Sequence, residues 1–196
     1  MLARLLRKAA FLAFQAPRIL KYRLLSRRGV CSRWPVLRQP MLVNGQGSVQ
    51  FGRGTVVGVI DSPGCYSTYA YLDARRPGSR ISIGEDTVIN NGATIIANEG
   101  LISIGRRCLI GFSLNVINCD FHGLGVSERN LEPPSKDVSI DDNVFLGSNV
   151  TILKGVKIGE NSVIASGSVV VKDIPPNAIA AGNPCVVIGT VNRVDS

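Results

Sequence analysis

From Val138 the apolar positions recur with a period of six. Written in sixes, the chain reads VSIDDN, VFLGSN, VTILKG, VKIGEN, SVIASG and SVVVKD, with Ile140, Leu146, Ile152, Ile158, Ile164 and Val170 at the third place. A 3.6-residue helix scatters such positions over several faces, whereas three short strands per coil of eighteen residues point each of them inward. The pattern therefore predicts an all-β parallel solenoid. A tetrad of aliphatic, any residue, aliphatic and glycine marks the same coils as VQFG at 49–52, ISIG at 81–84, ISIG at 102–105 and VKIG at 156–159, with VSID at 138–141 as a variant. Glycine there suits a corner where a side chain would obstruct the turn or force φ into an unfavourable region.

Two segments interrupt the hexads and are expected to loop out of the coils. Residues 61–80, DSPGCYSTYAYLDARRPGSR, combine a Pro-Gly turn with a Tyr-rich, strand-like alternation. Residues 119–137, CDFHGLGVSERNLEPPSKD, are polar and turn-rich, the kind of long loop on a rigid scaffold that carries function. After Asp173 a Pro175-Pro176 pair and a Gly-Asn-Pro turn end the repeats, so the tail is expected to fold back along the solenoid. The expected organisation is a leader over 1–40, a solenoid domain over 41–190 and a tail over 191–196.

The leader has a different pattern. Leu2, Leu5, Leu6, Ala9, Leu12 and Ala13 fall at helical spacing with Arg4, Arg7 and Lys8 between them, which predicts a short basic amphipathic helix ended or kinked at Pro17. Ile19, Leu20, Leu24 and Leu25 beside Arg18, Lys21 and Arg23 predict a second. Three roles fit: a signal peptide, a helical cap on the first coil, or peripheral attachment of residues 1–28 to an anionic membrane surface. The uncharged run from Ala9 to Pro17 is too short to span a bilayer.

Composition changes this picture in two ways. The net charge of +8 belongs to the leader: the first forty residues hold ten Lys or Arg and no acid, and the remainder holds twelve bases against fourteen acids. A basic tail on a slightly acidic solenoid lacks the charged groove or face that nucleic-acid binding needs. The five cysteines are odd in number and include no C-x-x-C pair, which points to a reducing, cytoplasmic location. With His122 as the single histidine, no structural zinc site is expected.

The run GSNVTILKGVKIGENSVIASGSVVVKDIPPNAIAAGNPCVVIG resembles the C-terminal half of hexapeptide-repeat acyltransferases, the family of maltose, galactoside and serine O-acetyltransferases. The resemblance covers roughly 43–190, and the DFH loop with the basic leader is most similar to enzymes that acetylate bacterial surface polysaccharides. It implies a left-handed parallel β-helix with a short N-terminal basic helical segment. It also implies a homotrimer with sites between subunits, acetyl-CoA as co-substrate and no metal. His122 matches the family's catalytic histidine, the general base for a sugar hydroxyl. Asp120, two residues before it, would point the same way in an extended segment and orient the imidazole.

Asn90 matches an acceptor-binding asparagine, with Asn91 beside it and one of the two expected to be a solvent-facing turn residue; Asn98 or Glu99 falls near a second acceptor contact. For acetyl-CoA, the resemblance implies Ser148 and Ser166 through backbone N–H groups, Gly147 and Gly167 through close approach, Phe145 as an apolar wall, and Val171 and Lys172 near the phosphates. Val171 stands where a threonine is common and Val186 where an arginine often holds phosphate, a role then left to Arg193. The implied function is acetyl transfer to a sugar hydroxyl in surface-polysaccharide biosynthesis. Its rivals are an acyltransferase of other chain length or acceptor, such as a sugar nucleotide, and a non-catalytic scaffold. One histidine cannot supply the three of a γ-type carbonic anhydrase.

Overall fold

The structure is a computed structural model that describes residues 9–27 and 29–191. The sequence features at Leu2, Arg4, Leu5, Leu6, Arg7, Lys8 and Arg193 lie outside the described residues, as does the tail from 192 onward.

The chain winds through stacked coils, each giving one short strand to each of three sheets. The first coil is β1 (Val36–Leu37), β2 (Met41–Gly45) and β3 (Ser48–Phe51), and the second is β4 (Val56–Val57), β5 (Ala70–Ala74) and β6 (Arg80–Ile83). The third holds β7 (Val88–Ile89), β8 (Thr94–Ala97) and β9 (Leu101–Ile104); the fourth holds β10 (Leu109–Ile110), β11 (Asn115–Ile117) and β12 (Val138–Ile140). The fifth is β13 (Phe145–Leu146), β14 (Thr151–Ile152) and β15 (Lys157–Ile158). The last coil has β16 (Val163–Ile164) and β17 (Val169–Val170), followed by β18 (Ala178–Gly182) and β19 (Cys185–Thr190). Strands of successive coils pair in parallel, and the architecture is a left-handed parallel β-helix. The first coil begins at Val36, inside the stretch read as leader.

Each coil repeats one steric rule. The third-place residues Ile140, Leu146, Ile152, Ile158, Ile164 and Val170 are all buried, stacked at a register of eighteen residues, as Leu146 on Ile164 and Ile152 on Val170. The first place also points inward: Val144, Val150 and Val156 are buried beside them. Ser162 and Ser168 occupy that place in the last coil. Their hydroxyls donate to Pro175 O (2.8 Å) and Ala165 O (2.7 Å) and accept from the Ala178 and Gly182 N–H groups. These two serines thus hold the end of the chain, which folds back as β19 antiparallel to β18.

The corner glycines work by space alone. None of Gly52, Gly84, Gly105, Gly147 and Gly159 has positive φ, yet a Cβ on each would lie 2.4–2.6 Å from backbone of the next coil. The left-handed turn falls two residues later, on Gly54, Asp86, Arg107, Asn149 and Asn161, with φ of 53–71°, and Asn143 (φ 56°) takes the same conformation after the VSID variant. Asparagine tolerates that region better than most residues. Asn143 and Asn161 also share a 2.9 Å amide bond across coils.

The leader differs from its expected course. The chain is helical from Ala9, passes through a π-turn at Phe11–Gln15 and continues as α1 (Ala16–Leu25). Pro17 does not end the helix, because the wide turn preceding it, closed by Ala16 N–H to Phe11 O, absorbs the missing donor and the ring. The helix docks on the solenoid: Gln15 Nε2 donates to Arg38 O and Cys65 O, and Arg18 donates to Cys65 O and Thr68 O. Ser26 Oγ accepts from Val43 N–H, and Arg27 N–H donates to Val43 O. Residues 15–27 therefore cap the first coil.

Candidate active site

The loop between β11 and β12 carries His122. Its root is tied down by Asn118, whose side-chain oxygen accepts from Asn98 N–H (2.8 Å) and whose amide donates to Glu99 O. Farther along, Gly123 N–H donates to Leu131 O, and a short helical turn at Val126–Glu128 closes the tip.

His122 is exposed, and its Nδ1 lies 2.8 Å from Arg129 O. A carbonyl can only accept, so the proton of the neutral ring sits on Nδ1 and Nε2 keeps its lone pair. The sequence expected Asp120 to orient this ring. Instead Phe121, with φ +62°, breaks the extended alternation, and Asp120 forms an ion pair with Lys154 Nζ. The Arg75 guanidinium sits 4.7 Å over the Phe121 ring and also bonds Asp73 at 3.0 Å, fixing the loop from β5.

Asn98 lies at the floor of a polar pocket of about 290 Å³ lined by Arg76, Asn98, Glu99, Glu132, Pro133 and Pro134. Its amide donates to Glu132 Oε1 (2.5 Å) and Ser135 Oγ (3.3 Å), while its buried Oδ1 has no hydrogen-bond partner. Glu99 is exposed and faces Arg76 at 3.7 Å. Asn98 and Glu99 therefore share the root of the His122 loop.

Asn90 and Asn91 lie at a different corner. Of the two, Asn91 is buried: its Nδ2 donates to Val59 O, Ser62 O and Pro63 O, and its Oδ1 accepts from Val59 N–H. That side chain staples the loop between β4 and β5 and is spent on structure. Asn90 is half-buried, its Oδ1 accepting from Asn91 N–H at 2.7 Å.

Phe145, Gly147, Ser148, Ser166 and Gly167 stack on that same corner. Phe145 is exposed, and Gly167 (φ +75°) has open space where a Cβ would be. Ser148 N–H is not free for a ligand as expected, since it donates to Ser166 Oγ at 3.0 Å; Gly167 N–H donates to Ser148 O at 2.8 Å. Val171 and Lys172, both exposed, lie at the other corner, following the coil register that runs from Ile117 through Leu153.

The expected residues thus divide between the two corners that flank the six-stranded sheet, ordered β17-β14-β11-β8-β5-β2. His122, Asn98, Glu99, Val171 and Lys172 lie at the corner after its strands; Asn90, Gly147, Ser148, Ser166 and Gly167 lie at the corner before them, beside Phe145 of β13. Sequence reading missed Lys154, Arg75 and Glu132. Lys154 occupies the fifth place of VTILKG, indistinguishable there from a solvated turn residue. Among the described residues no three His, Cys, Asp or Glu side chains converge to hold a metal ion.

Residues 137–172 match the family model described as bacterial transferase hexapeptide (six repeats). They are hexapeptide-transferase repeats. The chain is 42% identical over 120 residues to the galactoside O-acetyltransferase of Escherichia coli, covering 60% of this chain and 58% of that protein. It is 52% identical over 119 residues to the galactoside O-acetyltransferase of Lactococcus lactis, covering 60% of this chain and 56% of that one. The chain thus spans less than two thirds of these relatives' length.

Among solved structures, a galactoside acetyltransferase in complex with coenzyme A is 27% identical with a TM-score of 0.57, covering 90% of this chain and 82% of that one. A hexapeptide-repeat acetyltransferase from Vibrio cholerae, complexed with acetyl coenzyme A, is 26% identical with a TM-score of 0.57, covering 91% and 78%. A polySia-specific acetyltransferase is 28% identical with a TM-score of 0.57, covering 83% and 75%.

Proposed function

We propose that this protein transfers an acetyl group from acetyl-CoA to a sugar hydroxyl, in a site completed by a neighbouring copy of the chain. The observation that carries the reading is His122, whose Nδ1 is tied to Arg129 O so that Nε2 is left on an exposed loop as a base. In the reaction Nε2 takes the hydroxyl proton while the acceptor oxygen bonds to the thioester carbonyl carbon. The C–S bond then breaks, and the imidazolium returns its proton to the departing sulfur, so neither metal nor covalent enzyme intermediate is required.

The two-corner arrangement supports a shared site. The corner with Phe145, Ser148, Ser166 and Gly167 offers an apolar wall and a groove without obstructing side chains, suited to the pantetheine arm of acetyl-CoA. The corner with His122 offers the base and, at Lys172, a cation for phosphate. One face of the coil separates the two within a chain, so copies packed side by side would bring them together. Leu124, Val126 and Leu131 are exposed at the His122 loop tip, an apolar surface that a neighbour would cover. The trimer that the resemblance implies has this arrangement.

Asn98 and Glu99, beside the loop, are the acceptor contacts, and the exposed Glu99 carboxylate is an acceptor for a sugar hydroxyl. A surface polysaccharide as acceptor draws support from the likeness to a polySia-specific acetyltransferase. Use of acetyl-CoA, together with five free cysteines, supports a cytoplasmic location; no described helix is long and apolar enough to cross a membrane.

The test is CoA release from acetyl-CoA against a panel of glycans and lipid-linked saccharides. His122→Ala is expected to keep its fold and CoA affinity while kcat falls roughly 10²- to 10⁴-fold. Turnover near wild type in that variant would remove His122 from the mechanism.

A further inference from the structure

The N-terminal helix is inverted. Gln15, Arg18, Tyr22 and Ser26, three or four residues apart, face the solenoid: Gln15 is fully buried, Arg18 is held by three backbone and side-chain oxygens, and Tyr22 packs on Tyr69 with ring centroids 4.8 Å apart. The outward face carries Phe14, Leu20, Leu24 and Leu25, with exposures of 69, 58, 74 and 63%. A helix lying on a water-facing surface normally shows the opposite arrangement. Large apolar side chains gathered outward mark a surface that something covers.

Charge selects the occupant. Residues 1–60 contain eleven Lys or Arg and no Asp or Glu. Lys21 and Arg23 are exposed among these apolar residues, the Lys21 ammonium 5.9 Å over the Tyr22 ring and the Arg23 guanidinium 5.2 Å over the half-buried Trp34 ring. A two-fold contact between two copies of this face would set Lys21 and Arg23 against their own equivalents without an acid from the segment to offset them. An anionic surface with an apolar interior satisfies both halves of the pattern.

We propose that the outward face of this helix inserts into the interface of a membrane containing anionic phospholipid. Phe14, Leu20, Leu24 and Leu25 enter the acyl boundary, and Lys21 and Arg23 lie at the phosphate level. Because Gln15, Arg18 and Ser26 fasten the helix to the first coil, the anchor is rigid. The His122 loop leaves the fourth coil, three coil steps of about 4.8 Å away, or about 14 Å along the stack.

The full chain is co-sedimented with vesicles of phosphatidylcholine alone and of phosphatidylcholine mixed with phosphatidylglycerol. Binding is expected to the mixed vesicles, to be weak to the neutral ones, and to fall as salt rises. Leu20→Ser/Leu24→Ser, both outside the packed face, is expected to keep native circular dichroism and bind roughly tenfold or more weakly; Leu24→Ser alone serves if the pair does not fold. Lys21→Ser/Arg23→Ser is expected to lose the preference for the anionic vesicles. The proposal is overturned if wild type ignores the mixed vesicles, if it binds both compositions equally, or if the leucine variant binds unchanged. A leucine variant that alters the sedimentation coefficient but not vesicle binding also overturns it, making the face a contact between chains. Turnover of a soluble glycan is read in parallel and is independent of each outcome.

Discussion

His122 and Asp120 stand two residues apart, and the difference between their expected and observed relation comes from one backbone angle. With Phe121 in the left-handed region, the carboxylate turns to Lys154 and the imidazole to Arg129 O. Asp120→Asn therefore removes a loop-positioning ion pair and not an imidazole partner. Its kcat/KM is expected to fall less than roughly tenfold, well short of the ~10⁴ lost when a triad carboxylate is neutralised. A steady-state comparison with His122→Ala checks this. At Asn91, four bonds close on one buried amide, so Asn91→Ala leaves several backbone groups unpaired in the interior. It is expected to cost about 2–4 kcal/mol of stability by denaturant titration, with CoA affinity retained.

The coil is the element that converts a six-residue rule into a fold. Inward first- and third-place residues stack at steps of eighteen, so each aliphatic side chain is covered above and below by its own repeat. The corner glycines follow from the same stacking. A Cβ on Gly147 would lie 2.5 Å from Ser166 N and 2.6 Å from its Oγ, a contact that only backbone displacement relieves. Gly147→Ala is accordingly expected to lower stability by about 1–3 kcal/mol. It should also weaken CoA binding, because the displaced backbone includes Ser148 and Ser166. Thermal denaturation and a CoA titration of the same variant test the two effects together.

At the scale of the whole molecule, the candidate site is divided between the two corners that flank one sheet, which makes association a requirement of the proposed reaction. Sedimentation equilibrium is expected to give three times the chain mass of 20.9 kDa. Leu124→Ser/Val126→Ser, at the exposed loop tip, is expected to weaken that assembly and lower turnover in proportion. A monomer fully active at high dilution would refute the shared site.

How much of this was legible beforehand depends on the range of each interaction. The period of six determined, by itself, that the chain coils, which side chains fill the core and where the register of eighteen begins, because those outcomes repeat a local steric rule. The isolated histidine on a long polar loop was legible for the same reason: its chemistry and exposure are properties of a short stretch. Partner choice was not. Asp120 finds Lys154 thirty-four residues on, and Asn91 finds Val59 thirty-two residues back. The helix turns Gln15 and Arg18 inward because carbonyls of Arg38, Cys65 and Thr68 wait there. Such contacts exist only once the coils are stacked, since stacking sets side by side residues whose separation along the chain carries no local signal. The tertiary structure alone decided them.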